Sequence, residues 1–354
     1  MKYLFYGLVV WVCVYGQGCS SSEPAEEATE QKSIREVDRL AILIDKNPRD
    51  YTLYEERSRA WYQEGEVDSA LQAVNQALAL FRNGSELHYL KGFYLWNLQD
   101  TLQALTSLDA AIGLGSENPE AYYQKGQILF FQGKYDEVVR WYEEALARDS
   151  LEPTYLMAKG LLLEAQGRVD EAVSWHKQAV ELDTSFIKSL ARLHDLYLGH
   201  YGNELVAKTF TDRILRVDPG HPLGRFQLGD YYFRQAIQKD PLRNQEAYQQ
   251  ALNEAIVQYT IAIRRDTLFA DAYYNRGYSY LLADHAGIAL EDFTQVRELS
   301  PNHPQALFMT ASIYESYGDL STALTFYQQV LKVDSSFPEA KEAVNEILNT
   351  LSGG

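Results

Sequence analysis

The amino-acid sequence predicts an all-α solenoid, a stack of antiparallel helical hairpins, and three observations carry that prediction. The chain repeats itself every 34 residues: Tyr54-x-x-x-Ser58-x-x-Trp61 aligns with Tyr122-x-x-x-Gly126-x-x-Leu129 and Tyr273-x-x-x-Gly277-x-x-Tyr280, with register starts at 51, 85, 119, 153 and 187. After a one-residue slip near Gly202 the register resumes at 222, and after a longer break it returns at 270, 304 and 338. Small or short apolar residues recur at fixed places. Place eight holds Ser58, Gly92, Gly126, Gly160, Gly229, Gly277 and Ala311, and places twenty and twenty-seven hold mostly alanine, from Ala70 and Ala77 to Ala323 and Val330. Such positions let two helices approach closely, with bulky neighbours such as Tyr142, Tyr259 and Phe293 filling the space around them. Turn residues sit between the helical stretches: Gly65, Gly133, Gly167 and Gly318 at place fifteen, and Pro48, Pro219 and Pro301 between periods.

Composition sets the outer bounds. A 46% hydrophobic content in 354 residues is enough to bury a core. With 49 acidic against 32 basic side chains the net charge is -17, which argues against nucleic acid as the main partner, because phosphate binding needs clustered Lys and Arg. Both cysteines, Cys13 and Cys19, lie near the start, so the repeats have neither a disulfide framework nor a thiol metal site.

Read in order, residues 1–18 hold one charge, Lys2, then the apolar run Tyr3 to Tyr15, which is shorter than the roughly 20 residues a membrane-spanning helix needs. This is the pattern of a secretory signal. Cys19 after Gly18, followed by Ser20-Ser21-Ser22 and Glu23, Glu26, Glu27 and Glu30, resembles the bacterial lipoprotein pattern, which implies a lipid on Cys19. Gly16 and Gln17 stand where that pattern usually has Leu and Ala or Ser, so simple secretion stays open as an alternative. Ser20 to Lys32 reads as a solvated acidic tether, giving a division into a signal at 1–18, a tether at 19–33 and a solenoid at 34–352. Ile34, Val37, Leu40, Ala41 and Ile44 form one face of a helix from Ser33 to Lys46 that covers the first repeat.

The eight repeats from 51 to about 337 resemble the tetratricopeptide repeat family, whose pattern is the 34-residue period with Gly/Ala, Ala and Ala at places eight, twenty and twenty-seven. The resemblance implies a right-handed superhelix. The fifth repeat departs most, with His194 at place eight and Thr211 and Ile214 where an aromatic and an alanine are usual. The sixth is longer by fourteen residues, an insertion placed at about 234–247 and expected to add about two turns to each helix. After Pro338, a stripe of Ala340, Val344, Ile347, Leu348 and Leu351 predicts a capping helix at 338–351.

Catalytic and cofactor motifs are missing: no Gly-rich phosphate loop, no His-Glu-x-x-His and no Gly-x-Ser-x-Gly. The seven histidines are scattered and are expected at the surface or in packing rather than on a metal. The expectation is a protein with no enzymatic chemistry, no metal, no cofactor and no small-molecule substrate. The resemblance places the first helices along a concave groove, with places two, five, nine and twelve pointing into it. Those places carry Tyr89, Phe93 and Trp96 in repeat two, Tyr123, Gln127 and Phe130 in repeat three, Met157 in repeat four, and later Phe226, Phe233, Tyr274 and Tyr278. These rings are read as surplus to hairpin packing, and a large exposed aromatic surface marks a binding site. The Lys-and-Asn clamp with which one subclass of the family binds acidic C-terminal peptides is absent: Glu55 and Arg59, Tyr89 and Phe93, and Tyr123 and Gln127 occupy its places. An acidic chain with an aromatic groove is expected to take an apolar or basic protein segment, as a lipid-anchored scaffold of the cell envelope at the outer membrane. A glycan- or peptidoglycan-binding module using the same rings is the alternative.

Overall fold

The computed structural model describes residues 34–239 and 243–352; the signal, Cys19 and the tether lie outside them. The described residues form helices and no strand. A leading helix, α1 (Glu36–Lys46), precedes hairpins α2 (Tyr51–Gln63) with α3 (Val67–Leu80), α4 (Ser85–Asn97) with α5 (Thr101–Gly113), α6 (Pro119–Phe131) with α7 (Tyr135–Arg148), and α8 (Pro153–Ala165) with α9 (Val169–Leu182). They continue as α10 (Ile187–Gly199) with α11 (Glu204–Val217), α12 (Pro222–Ile237) with α13 (Gln245–Arg265), α14 (Ala270–Leu282) with α15 (Ala286–Leu299), and α16 (Pro304–Ser316) with α17 (Leu320–Val333), followed by α18 (Pro338–Ser352). Each helix packs on the one before and the one after it, so the chain is an α-solenoid.

Helix starts are written locally. Asp50, Asn118 and Glu152 cap first helices through the amides of Thr52, Glu120 and Thr154, and Asp100, Asn203 and Asp319 do the same for second helices. At junctions between repeats, Asp149, Asp183, Asp218, Asp266 and Asp334 each accept from the amide two residues on, a turn that stops one helix and aims the next. His221 and His303 act as caps too, Nδ1 accepting from the amides of Gly224 and Ala306. Inside the hairpins the first helix hands over through a left-handed residue. Gly65, Gly133, Gly167 and Gly318 have φ between 74° and 84°, and Gln99 and Asp284 adopt the same conformation at 64° and 65° without being glycine.

The hairpin core is a knob set into a hole. At place eight a Cβ on Gly126 would stand 2.5 Å from the Tyr142 ring, one on Gly160 2.7 Å from His176, and one on Gly229 2.6 Å from Tyr259. The alanines at places twenty and twenty-seven are buried throughout the array. Repeat five keeps the fit with the sizes exchanged: His194 on α10 is the large partner and Thr211 on α11 the small one, joined at 2.8 Å between Oγ1 and Nδ1. Its departure from the pattern is therefore a swap across one contact.

Repeat six differs from expectation in how the insertion is spent. α12 runs only to Ile237, three residues beyond the usual end, while α13 is 21 residues long, about two turns more than its counterparts. The added turns are packed: Ala236, Ala251 and Leu252 are buried with Ala283, against Phe233, Tyr248 and Leu282. At the ends, Val37, Leu40 and Ile44 of α1 are buried over α2, whereas Ile34 precedes the helix and is exposed. On α18 Ala340 and Ile347 are buried, but Leu348 and Leu351 are exposed, because among the described residues no second helix follows to cover that side.

Candidate functional site

Successive first helices are tied together by polar side chains along one face. Arg59 of α2 reaches Glu86 of α4, and Glu86 accepts from Asn118 at the start of α6 at 2.9 Å. Tyr155 of α8 donates to Glu120 of α6 at 2.8 Å, Arg192 of α10 pairs with Glu164 of α8, and Asn275 of α14 donates to Asp230 of α12 at 2.9 Å. These residues come from places two, three, six, nine and twelve and from one helix cap, so the aromatic side chains at places five, nine and twelve lie beside a seam of carboxylates.

The rings fall into groups. Phe93 meets Tyr62 of the preceding repeat edge-on at 4.9 Å and lies 6.4 Å from Tyr89. Trp96 stacks on Phe131 at 5.9 Å, and Phe130 meets Phe131 and Tyr135. Tyr123 lies 5.0 Å from Tyr155 and near Tyr142, whose hydroxyl accepts from the Gln127 amide. In the second half Phe233 meets Tyr278, which stacks on Tyr274, which in turn stacks on His303. Phe226 stands apart, against Phe269 and Tyr259.

Two expectations need correction. Tyr89 and Met157 are buried, at 7% and 8% exposure, and contribute packing rather than free surface. The remaining rings are not surplus to packing: the offset between repeats brings place twelve of one first helix onto place nine of the next, as in Tyr62 with Phe93 and Phe233 with Tyr278. Phe93, Trp96, Tyr123, Gln127, Phe130, Phe226, Phe233, Tyr274 and Tyr278 are half-buried, each presenting an edge or face beyond its contacts. Phe131, one place beyond the expected set, is 56% exposed.

The carboxylates are what the sequence reading undervalued. Glu55 sits half-buried with its Oε1 without a hydrogen-bond partner, and burial, with Glu86 adding repulsion, raises its pKa to about 7. Burial likewise raises Glu120, against the hydrogen bond it accepts from Tyr155. Tyr89 and Tyr123 are pushed up by burial and by Glu120, so both hydroxyls stay protonated. A raised carboxylate favours its neutral form when folded: its contribution is full below the unfolded value of about 4.3 and is lost as pH rises through 7. Glu55→Gln is therefore expected to raise the melting temperature at pH 8 and leave it nearly unchanged at about pH 4, read by calorimetry at both pH values.

A Ser-His-Glu chain exists where none was expected: His176 Nδ1 lies 3.2 Å from Ser189 Oγ and Nε2 lies 2.9 Å from Glu164 Oε1. Ser189 and His176 are completely buried, so this chain offers a substrate no approach and serves packing between repeats four and five. Among the described residues no group of three or more His, Cys, Asp or Glu is placed to hold a metal ion, and no helix is long and apolar enough to cross a membrane.

A family model for the tetratricopeptide repeat matches residues 37–85, 89–146 and 132–185. No curated protein matches the chain. Among solved structures, a chain of the APC/C hetero-tetramer Cut9–Hcn1 is similar with a TM-score of 0.57 at 15% identity over 88% of this chain; the match spans 58% of that chain's length. A tetratricopeptide repeat protein from Parabacteroides merdae aligns over 75% of this chain and 99% of its own, at 18% identity and a TM-score of 0.52. The IFIT1 monomeric mutant with Gppp-AAAA aligns over 88% and 85%, at 13% identity and a TM-score of 0.55. At these identities the likeness speaks for fold. The described residues form an α-solenoid, and the family model identifies tetratricopeptide repeats in its part from residue 37 to 185.

Proposed function

We propose that the protein is a scaffold that binds another protein through the concave face of repeats two to four, held at a membrane by a lipid on Cys19. The observation that carries the binding role is the half-exposed aromatic surface of Phe93, Trp96, Tyr123 and Phe130 beside Glu55, Glu86 and Glu120. Apolar rings supply contact area, and the carboxylates favour a partner segment with basic residues. Glu55 and Glu120 are costly where they stand, and a cation seated beside them would relieve that cost. The solved Cut9–Hcn1 hetero-tetramer is a precedent for a solenoid of this fold working within a protein assembly.

Anchoring rests on the sequence around Cys19. One acylated cysteine and a tether reaching about 20 Å would keep the solenoid close to the cell envelope, at the outer membrane and facing the periplasm or the surface. Affinity capture from detergent-solubilised membranes tests the scaffold reading: a stoichiometric protein partner supports it, and retention on cell-wall material alone would favour a glycan-binding module instead. Cys19→Ser is expected to move the protein from the membrane fraction to the soluble fraction on cell fractionation. Unchanged membrane retention would remove the lipid from the reading.

A further inference from the structure

Resting on the concave site proposed above, we infer that its occupant is an amphipathic α-helix that carries a basic stripe beside an apolar one. Two kinds of side chain divide that face along the direction of its helices. Toward the starts of the first helices stand Glu55 of α2, Glu86 of α4, Glu120 of α6 and Glu152 just before α8, all half-buried. Toward the ends of α4 and α6 stand Phe93, Trp96 and Phe130. Glu86 and Phe93 lie seven residues apart on α4, about 10 Å at the helical rise. An α-helix with its side chains is about 10 to 12 Å across, so one laid across the first helices covers both strips at once.

Charge selects the basic stripe. Arg59 pairs with Glu86, but Glu120 is met by the neutral hydroxyl of Tyr155, and Glu55 Oε1 has no hydrogen-bond partner. On the second-helix side the chain supplies its own cations. Lys125 lies 3.7 Å over the Trp141 ring and pairs with Asp109, and Lys159 lies 4.5 Å over Trp175 and pairs with Glu143 at 3.1 Å. The concave carboxylates are therefore the ones left for cations from a partner. Spacing along the groove selects the helix. Arg59 reaches Glu86, Tyr62 meets Phe93 at 4.9 Å and Trp96 stacks on Phe131 at 5.9 Å, so successive first helices stand in side-chain contact, with about 8 to 10 Å between axes. A bound helix returns a side chain to the same face every two turns, about 10 Å, in step with that spacing. An extended strand returns one about every 6.8 Å and is out of step from one repeat to the next. Lys or Arg side chains two turns apart then meet Glu86 and Glu120, while the adjacent apolar stripe meets Phe93, Trp96 and Phe130.

Titration calorimetry of the full chain with two synthetic peptides of about 18 residues, five helical turns, and one Leu/Lys composition tests this. In one peptide Leu and Lys follow helical spacing; in the other they alternate, which separates them only in a strand. The helical pattern is expected to bind at least about ten-fold tighter. Glu55→Gln combined with Glu120→Gln is expected to weaken that binding about ten-fold and flatten its salt dependence, while leaving a Leu/Gln peptide of the same helical pattern unaffected. Equal affinities for the helical and alternating peptides would overturn the helix, and a Leu/Lys peptide that binds no tighter than Leu/Gln would overturn the basic stripe. If no peptide binds while a captured protein still shields Trp96 and Phe130 from hydroxyl radicals, the amphipathic helix falls and the scaffold stands. Loss of that shielding as well would sink both.

Discussion

Gly126→Val is expected to lower the stability of the array by about 3 kcal/mol, at the upper end of what overpacking costs, seen as a fall in the denaturation midpoint. A Cβ at this site falls 2.5 and 2.6 Å from Tyr142 ring carbons, and the ring is only 1% exposed, so it has nowhere to go. The gain from removing a helical glycine, at most about 1 kcal/mol, does not offset that clash. Gly113→Ala is the control: nothing lies within 4 Å of its Cβ, and the change is expected to be neutral or mildly stabilising. A second substitution, Tyr142→Thr, should recover part of the loss from Gly126→Val, because it reproduces the exchange of sizes that His194 and Thr211 show in repeat five. Additive losses in the double variant would mean that the two positions are not one contact.

Trp96→Ala combined with Phe130→Ala is expected to weaken partner binding by at least about thirty-fold, the equivalent of roughly 2 kcal/mol for interface anchors, with a smaller effect on melting. Trp96 and Phe130 both contact the exposed ring of Phe131, so much of what they touch already faces solvent. Phe93→Ala should behave differently. Its ring is wedged against Tyr62 and Tyr94, and truncation there is expected to cost about 3 kcal/mol of folding stability. Equilibrium binding and thermal unfolding, measured on the same preparations, separate the two kinds of aromatic residue.

The hairpin architecture was legible because it depends on side-chain size at fixed spacing. Gly126, Ala145 and Tyr142 announce a close helix contact whatever their neighbours do, and Asp50 or Asn118 announces a helix start within two residues. Four turn glycines were readable for the same local reason, while Gln99 and Asp284 in the same conformation were not, since neither residue type requires it. Contacts between repeats were harder. Whether Phe93 faces solvent or Tyr62 depends on the offset of two hairpins, a tertiary quantity that no 34-residue window contains. The same holds for Tyr89 and Met157, which share place five with the half-buried Tyr123 but are buried. The seam of carboxylates was hidden because Glu55 looks like an ordinary surface acid until burial and the approach of Glu86 raise it.

Side-chain footprinting by hydroxyl radicals, with and without the captured partner, tests the central claim most directly, since it asks which face the partner covers. Bound partner should protect Trp96, Phe130, Phe131 and Tyr123 and leave Trp141 and Trp175, on the second helices, as reactive as in the free protein. Protection of Trp141 and Trp175 with unchanged reactivity at Trp96 and Phe130 would place the partner on the other face and contradict the concave site.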